Sequence, residues 1–224
     1  MNLSTHSESR ALQSRGRSSE AIYKMVTRAL QGSGRCDVLL DIGCGNGALR
    51  GFVRHQITRY VGADIARYED FPADAEFHRV DLDCLPTPIT QEFADAVVAV
   101  ETIEHLENPR ALMREMVRLC RPGGWVIVTT PNQLSLASKA FLSMKNQFPA
   151  FQEAPGLYPT HITALLEIDL LRIARESGLV DCAIMYSEEG RIPLTRAHWP
   201  SGLKGRAFSD NLALLARRPQ IKKI

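Results

Sequence analysis

The chain has 224 residues, of which 45% are apolar and 23% charged, with a formal net charge of +2. Those proportions describe a soluble globular protein, most simply one domain, with enough residues to bury a full core. They exclude a membrane-spanning helix, because no run approaches the roughly 18 consecutive apolar residues that one needs.

The charge is unevenly placed. Residues 1–35 hold six Arg/Lys against two acids and residues 191–224 hold eight against one, which leaves the stretch between them acidic. Basic ends on an acidic body could touch an anionic partner, nucleic acid included; solubilising tails are the plainer reading. The opening "MNLSTHSESRALQSRGRSSE" lacks the apolar segment of a secretory signal. It is rich enough in Ser and Arg for a transit peptide, although a simple tail explains it equally. Five cysteines, at 36, 44, 84, 120 and 182, are odd in number and include no CxxC pair. That pattern argues for reduced thiols in a cytoplasmic protein and against a disulfide or zinc framework. Nothing in the sequence points to an oligomeric state.

Taken in chain order, residues 18–31 carry apolar side chains at 22, 25, 26, 29 and 30, which is helical spacing with Ser18 or Ser19 as cap. "CDVLLDIG" reads as a buried strand entering a glycine turn, "ALRGFVRHQ" as a helix and "RYVGADI" as a second strand. "AEFHRVDLD" is a third strand and "FADAVVAV" a fourth. "NPRALMREMVRLC" is an amphipathic helix with Pro109 in its first turn. "RPGGWVIVTTPN" is a tight turn followed by a fifth strand. Helix "TALLEIDLLRIARESG", strand "LVDCAIMYS" and strand "NLALLARR" complete the chain. Strands alternating with helices at this spacing predict a parallel sheet covered on both faces. The division is residues 1–35 as tail and helix, and 36–224 as the α/β domain. Residues 133–163 interrupt the alternation with an insertion, read as a lid.

The turn after the first strand, "LLDIGCGNGAL", has Gly43, Gly45 and Gly47 at alternate positions. Glycines there let the backbone turn sharply and approach a ligand with no Cβ in the way. In an open parallel sheet this is also where ligands sit, beyond the carboxyl ends of the strands. "GCGNGA" satisfies the nicotinamide-dinucleotide fingerprint, and Asp64 stands where a ribose-binding acid would. Against that reading, Asp41 precedes the first glycine, and a carboxylate there opposes an anionic pyrophosphate and suits a cation.

"LLDIGCGNGAL", "YVGADI", "VDLD" and "RPGGWVIVTTPN", in this order, resemble the class I S-adenosylmethionine-dependent methyltransferases over about residues 36–132. The resemblance implies a Rossmann-like, doubly wound sheet of seven strands, mostly parallel, with the last strand antiparallel. It implies S-adenosyl-L-methionine as cofactor, with Asp41 beside the glycine loop and the cofactor's cationic end. Asp64, with Ile65 beside it, would take the ribose hydroxyls, which a carboxylate's two oxygens suit. Asp81 would accept from the adenine amino group, with Leu82 giving the neighbouring backbone contact. A non-catalytic cofactor-binding regulator is the other reading of the same residues.

Methyl transfer from a sulfonium is an in-line displacement, so the protein chiefly aligns donor and acceptor. An oxygen acceptor also needs its proton removed, by a base or by a metal that lowers its pKa. "VETIEHLENP" after the fourth strand holds Glu101, Glu104 and His105, which converge on one face if the segment is helical. With His161 from the insertion they could hold Mg²⁺, Mn²⁺ or a related divalent ion. Glu101, His105 and His161 are the candidate catalytic groups. The Glu-x-x-Glu-His pattern resembles the ubiquinone-pathway O-methyltransferases and the small-RNA 2′-O-methyltransferases. This chain lacks the clustered His-x-x-His of the RNA branch, so a small-molecule substrate and O-methylation are expected. Lesser candidates are Tyr158, which could position substrate, and Asn132 as a substrate contact. Trp125 and the apolar lid positions 134, 136, 141, 142 and 144 are expected in the core.

Overall fold

Strand β1 (Cys36–Ile42) sends Leu40 and Ile42 to one side and Leu39 to the other, all fully buried. That division organises the molecule. On one face the sheet meets α3 (Pro109–Leu119) and α5 (Glu167–Glu176) through Leu112, Met113, Met116, Leu170 and Ile173. On the other it meets α1 (Glu20–Gln31) and the short α2 (Leu49–Val53) through Met25, Val26, Leu30 and Val53. Strand β4 (Ala94–Ala99) splits the same way, with Val97 and Ala99 against α3 and Ala96 and Val98 against α1. A strand buried on both faces must be apolar at nearly every position, which is how these segments read.

The computed structural model describes residues 8, 11, 16–32, 34, 36–152 and 161–220. Its seven strands form one sheet in the order β3-β2-β1-β4-β5-β7-β6. The other strands are β2 (Ile57–Asp64), β3 (Glu76–Arg79), β5 (Cys120–Pro131), β6 (Val180–Tyr186) and β7 (Asn211–Arg217). The first five strands run parallel, and β7 lies antiparallel between β5 and β6. Strand order reverses between β1 and β4, so a crevice opens at their carboxyl ends.

Local chemistry sets several boundaries. Ser19 stands at the N-cap of α1, and Asn108 caps α3 by accepting from the Ala111 amide at 3.0 Å, ahead of Pro109. Strand β3 stops at Arg79, short of the expected "VDLD", because the Asp81 side chain accepts from the Asp83 amide at 3.0 Å and bends the chain. The expected turn at Arg121–Gly124 is absorbed into β5, where the register with β4 shifts between Ala94 and Ala96.

The insertion contains α4 (Leu136–Lys145), capped by Ser135, which accepts from Ser138 at 3.0 Å. Of α4 only Ser138 is buried, and Leu136 and Met144 are 39% and 52% exposed. The core placement expected for Leu136, Leu142 and Met144 is therefore wrong: α4 stands off the sheet, and both sheet faces are already covered by other helices. Leu134 and Phe141 are half-buried, and Trp125 packs on the second core beneath Arg217. Asn132 is no substrate contact; it is buried, donating to the Arg206 and Ser209 carbonyls at 2.9 and 2.7 Å. Tyr158 lies outside the described residues.

Four basic residues of the described C-terminal stretch are committed internally. Arg191 pairs with Asp210, Lys204 with Glu188, Arg206 with Glu167 and Arg218 with Glu92. Among the described residues no helix is long and apolar enough to cross a membrane.

Leu40 lies at the centre of the sheet with no solvent exposure. Leu40→Ala should lower unfolding free energy by about 2–5 kcal/mol, the usual cost of a buried Leu truncation. Urea denaturation followed by circular dichroism measures it.

Candidate functional site

The glycine turn joins β1 to α2 at the switch point. Gly43 and Cys44 both donate to the Ala63 carbonyl at the end of β2, at 2.7 and 3.3 Å. Gly43 has φ +69°, and a Cβ there would collide with the Thr102 side chain. Gly45 has φ +52°, and a Cβ would collide with the Gly16 carbonyl. At both positions positive φ and close approach leave room for glycine alone. Cys44 fits because it is small, and burial pushes its thiol well above the usual range.

Asp64 closes β2 and is 7% exposed. Its Oδ2 accepts from the Gly45 amide at 2.8 Å, and its Oδ1 from the Ile65 amide at 2.7 Å. Burial raises its pKa while these amides oppose the rise. Oδ2 retains acceptor capacity toward the cavity, as a vicinal diol would need. Asp81, Leu82 and Ile65 complete that wall. The segment that follows is pinned by Thr87, which donates to Glu115 Oε1 through both its amide (3.0 Å) and its hydroxyl (2.6 Å).

Asp41 sits differently from the expectation. It is 1% exposed, lies one layer beneath the loop and is not among the cavity-lining residues. Its Oδ2 accepts from the Tyr60 hydroxyl at 2.6 Å, and its Oδ1 has no partner among the described residues. Burial pushes its pKa up to about 7, with the Tyr60 hydrogen bond opposing the rise. A cation in the cavity would act on this carboxyl through the loop, not by direct contact.

At the other end of the cavity the acid–histidine segment is a single 3₁₀ turn, Ile103–His105, so one helical face does not gather all three groups. Glu101 precedes that turn at φ +49° and is aimed back at the sheet. Its Oε1 accepts from the Thr129 hydroxyl at 3.1 Å and its Oε2 from Asn211 at 3.0 Å. Burial pushes Glu101 up to about 7. Glu104 is fully buried; Oε2 accepts from Thr130 at 3.2 Å, whereas Oε1 has no hydrogen-bond partner among the described residues. Oε1 lies 4.0 Å from His161 Nε2. Burial raises Glu104 well above the carboxylate range and lowers His161 below the imidazole range. The His105 and His161 rings meet edge to face at 4.5 Å, with Phe151 5.3 Å beyond His161. Glu104, His105 and His161 thus each bring one ligand atom within 4.8 Å of the others, and Glu101 stands apart from that group.

Most of these residues, though not Asp41 or Glu104, border one cavity of about 450 Å³. The glycine loop, Asp64 and Asp81 line one part of it, and Glu101, His105 and His161 another. Sequence reasoning missed a third part: Ala11, Gly16, Arg17, Ser18 and Tyr23 from the N-terminal segment, with Tyr68 facing them. Only Gly16, a glycine amid polar residues, signalled a close approach. Of the described part of 133–163, His161 alone lines the cavity.

A fold of this strand order with a glycine turn, an acid ending β2 and an acid after β3 defines a nucleoside-cofactor enzyme of the Rossmann-like class. The profile of the methyltransferase domain family matches residues 14–183. The chain belongs to that family, and it is an S-adenosylmethionine-dependent methyltransferase. A ubiquinone biosynthesis O-methyltransferase from Leptothrix cholodnii is 27% identical over 174 residues, 73% of this chain and 72% of that protein. In fold, the chain resembles an S-adenosylmethionine-dependent methyltransferase from Archaeoglobus fulgidus, with a TM-score of 0.60 at 20% identity over 87% of this chain and 94% of that one. It also resembles the N-methyltransferase NodS of Bradyrhizobium japonicum in complex with S-adenosylhomocysteine, with a TM-score of 0.57 at 17% identity over 88% and 86% of the two chains. The nicotinamide reading is thereby set aside.

Two outcomes follow from this geometry. Asp64→Ala should weaken S-adenosylmethionine binding by about 1.5–3 kcal/mol, the scale of hydrogen bonds to a charged group; isothermal titration calorimetry tests it. Asp41 bears on stability with a definite sign. Its folded pKa of about 7 exceeds the ordinary 3.8, so the fold binds this proton more tightly than the unfolded chain does. The stability it contributes is full below about pH 4 and is lost as pH rises through about 7. Between pH 5 and 8 the wild type should therefore lose more stability than Asp41→Asn does, as read by urea midpoints at the two pH values.

Proposed function

We propose that this methyltransferase transfers a methyl group to an oxygen of a small organic acceptor, with His161 taking the acceptor's proton. The observation that carries the reading is the Glu104–His105–His161 group, with Glu104 buried and both imidazoles lining the cofactor cavity. Burial keeps His161 neutral near pH 7, and a neutral imidazole accepts a proton. Glu104, held at 4.0 Å with one oxygen unpartnered, gains a favourable partner when the ring becomes cationic. His105 and Phe151 hold the ring edge to face. Glu101, anchored by Thr129 and Asn211, borders the cavity as a second acid and shapes the acceptor end.

When bound, the cofactor supplies an electrophilic methyl group on a sulfonium. The glycine loop would lie against its amino-acid portion, and Asp64 with Ile65 would take the ribose. Asp81 and Leu82 would take the adenine, and Asp41 would favour the cationic end from beneath the loop. The unpartnered Asp41 Oδ1 and a cradle that any Cβ would fill are the features that suit such a ligand. The relatives named for ubiquinone biosynthesis support an oxygen acceptor of small size. The internal pairing of the C-terminal arginines favours a small molecule over nucleic acid as substrate. Five free cysteines suit a reducing cytoplasm.

A divalent ion is a second reading of the same group. Two imidazoles and a carboxylate with a spare oxygen form a donor set for Mn²⁺ or a related ion, and among the described residues three ligands converge, because Glu101 is tied to the sheet. An ion there would lower the acceptor's pKa and leave His161 as ligand instead of base.

Incubation with S-adenosylmethionine and a panel of phenols, catechols and short RNAs, read by mass spectrometry, tests the function. Methylated phenol or catechol is expected, and methylation confined to RNA would overturn the reading. His161→Ala should lower kcat/KM roughly 10²–10⁴-fold, the range for a lost general base. Full activity after chelation would remove the metal reading; loss restored by Mn²⁺ would replace the base.

A further inference from the structure

Eight large apolar side chains are exposed among the described residues, and seven of them sit at the carboxyl end of the parallel strands, the end that carries the cavity. Leu136, Leu142 and Met144 are exposed on α4, Ile162 follows the cavity residue His161, and Leu194 and Leu203 lie in the connection from β6 to β7. Ile168, at the start of α5, is the seventh; Val180, at the start of β6, lies at the opposite end. Single apolar side chains scattered over a surface need no explanation, but a group confined to one end marks a contact surface. Hydrogen bonds join its parts. The Leu136 amide donates to the Ala207 carbonyl at 2.9 Å and the Asn132 amide to the Asp210 carbonyl at 2.7 Å, which fixes α4 to the β6–β7 connection. On the cavity side the Ile162 amide donates to the Glu104 carbonyl at 2.8 Å.

The unpaired charge on this surface is mostly of one sign. Lys139 and Lys145 are exposed on α4, Arg196 is exposed beside Leu194, and none of the three has an ion pair among the described residues. Residues 133–152 contain no acid. Glu167, Asp169, Glu188 and Asp210, from the neighbouring segments, are each paired with a basic side chain, which leaves Glu189 against the three cations. From this we infer that α4 and the β6–β7 connection dock the enzyme on an anionic bilayer surface, with the cavity end turned toward the lipid. Aliphatic side chains can enter the acyl boundary there while the long basic chains reach the lipid phosphates. Nucleic acid would engage the cations and leave the aliphatic side chains without partners. A second copy docked symmetrically on this surface would set its cations against one another. The docking does not depend on which acceptor the cavity takes.

Co-sedimentation of the full-length protein with vesicles tests it, comparing equal parts phosphatidylglycerol and phosphatidylcholine with phosphatidylcholine alone. The wild type should partition roughly tenfold or more better onto the anionic vesicles, and that advantage should shrink as salt is added. Lys139→Gln combined with Lys145→Gln, and Leu142→Asp combined with Met144→Asp, should each lower partitioning roughly tenfold or more. None of the four residues lines the cavity, and circular dichroism shows whether each variant keeps the wild-type fold. Equal sedimentation with both vesicle types, or none with either, would overturn the inference without touching the cofactor site. Loss in the lysine variant alone would also overturn it, because attraction without apolar contact is what any polyanion would give. A dimer in light scattering that the Leu142→Asp, Met144→Asp variant turns into a monomer would assign the surface to a second copy instead.

Discussion

The hydrogen bond from the Gly45 amide to the Asp64 carboxylate, 2.8 Å long and nearly out of solvent, is the contact on which the site depends. It joins the turn after β1 to the end of β2, and a second oxygen of the same carboxylate holds the Ile65 amide. The parallel pairing of β1 with β2 brings the two strand ends level, Asp41 opposite Gly62 and Ile42 opposite Ala63. With positive φ and Thr102 and Gly16 packed against it, the loop has no room for side chains at Gly43 and Gly45, and the bond to Asp64 fixes where its amides point. A preorganised wall spends less of its binding energy on ordering itself.

Around that contact the fold buries more carboxyl groups than it neutralises. Asp41 and Glu104 each keep an oxygen without a hydrogen-bond partner among the described residues, and burial raises the pKa of Asp41, Asp64, Glu101 and Glu104 alike. Buried acids held toward neutrality are costly to a fold and typical of functional sites. Their distribution has a chemical sense. Asp64 and Glu101 line the cavity, while Asp41 and Glu104 lie buried behind them, beneath the glycine loop and beside His161. Each becomes more favourable when positive charge arrives.

The insertion at 133–163 looked like the cover because it breaks the strand–helix alternation. Yet α4 stands off the sheet with three of its four large apolar side chains exposed, and among the described residues of that insertion His161 alone reaches the cavity. Ala11 and the stretch Gly16–Ser19 line the cavity as well, where nothing in the pattern of apolar residues announces a structural element.

What the sequence determined by itself was the periodic part: the seven strands, the helices between them, the glycine turn, and Asp64 and Asp81 at strand ends. These are legible because a strand buried on both faces must be apolar throughout, and because a tight turn under a ligand must be glycine. The direction of α1 toward the sheet was equally readable from residues 22, 25, 26, 29 and 30, which the fold buries. Tertiary structure alone decided the rest. A single 3₁₀ turn, with Glu101 twisted to positive φ, separated Glu101 from Glu104 and His105, although all three lie within five residues. His161 joined Glu104 and His105 from more than fifty residues away, and Asp41 moved beneath the loop, to Tyr60. Periodicity reports which side of an element faces the core; it carries no information on how a short irregular turn aims its side chains or which distant segment arrives beside it, and those two facts make the site.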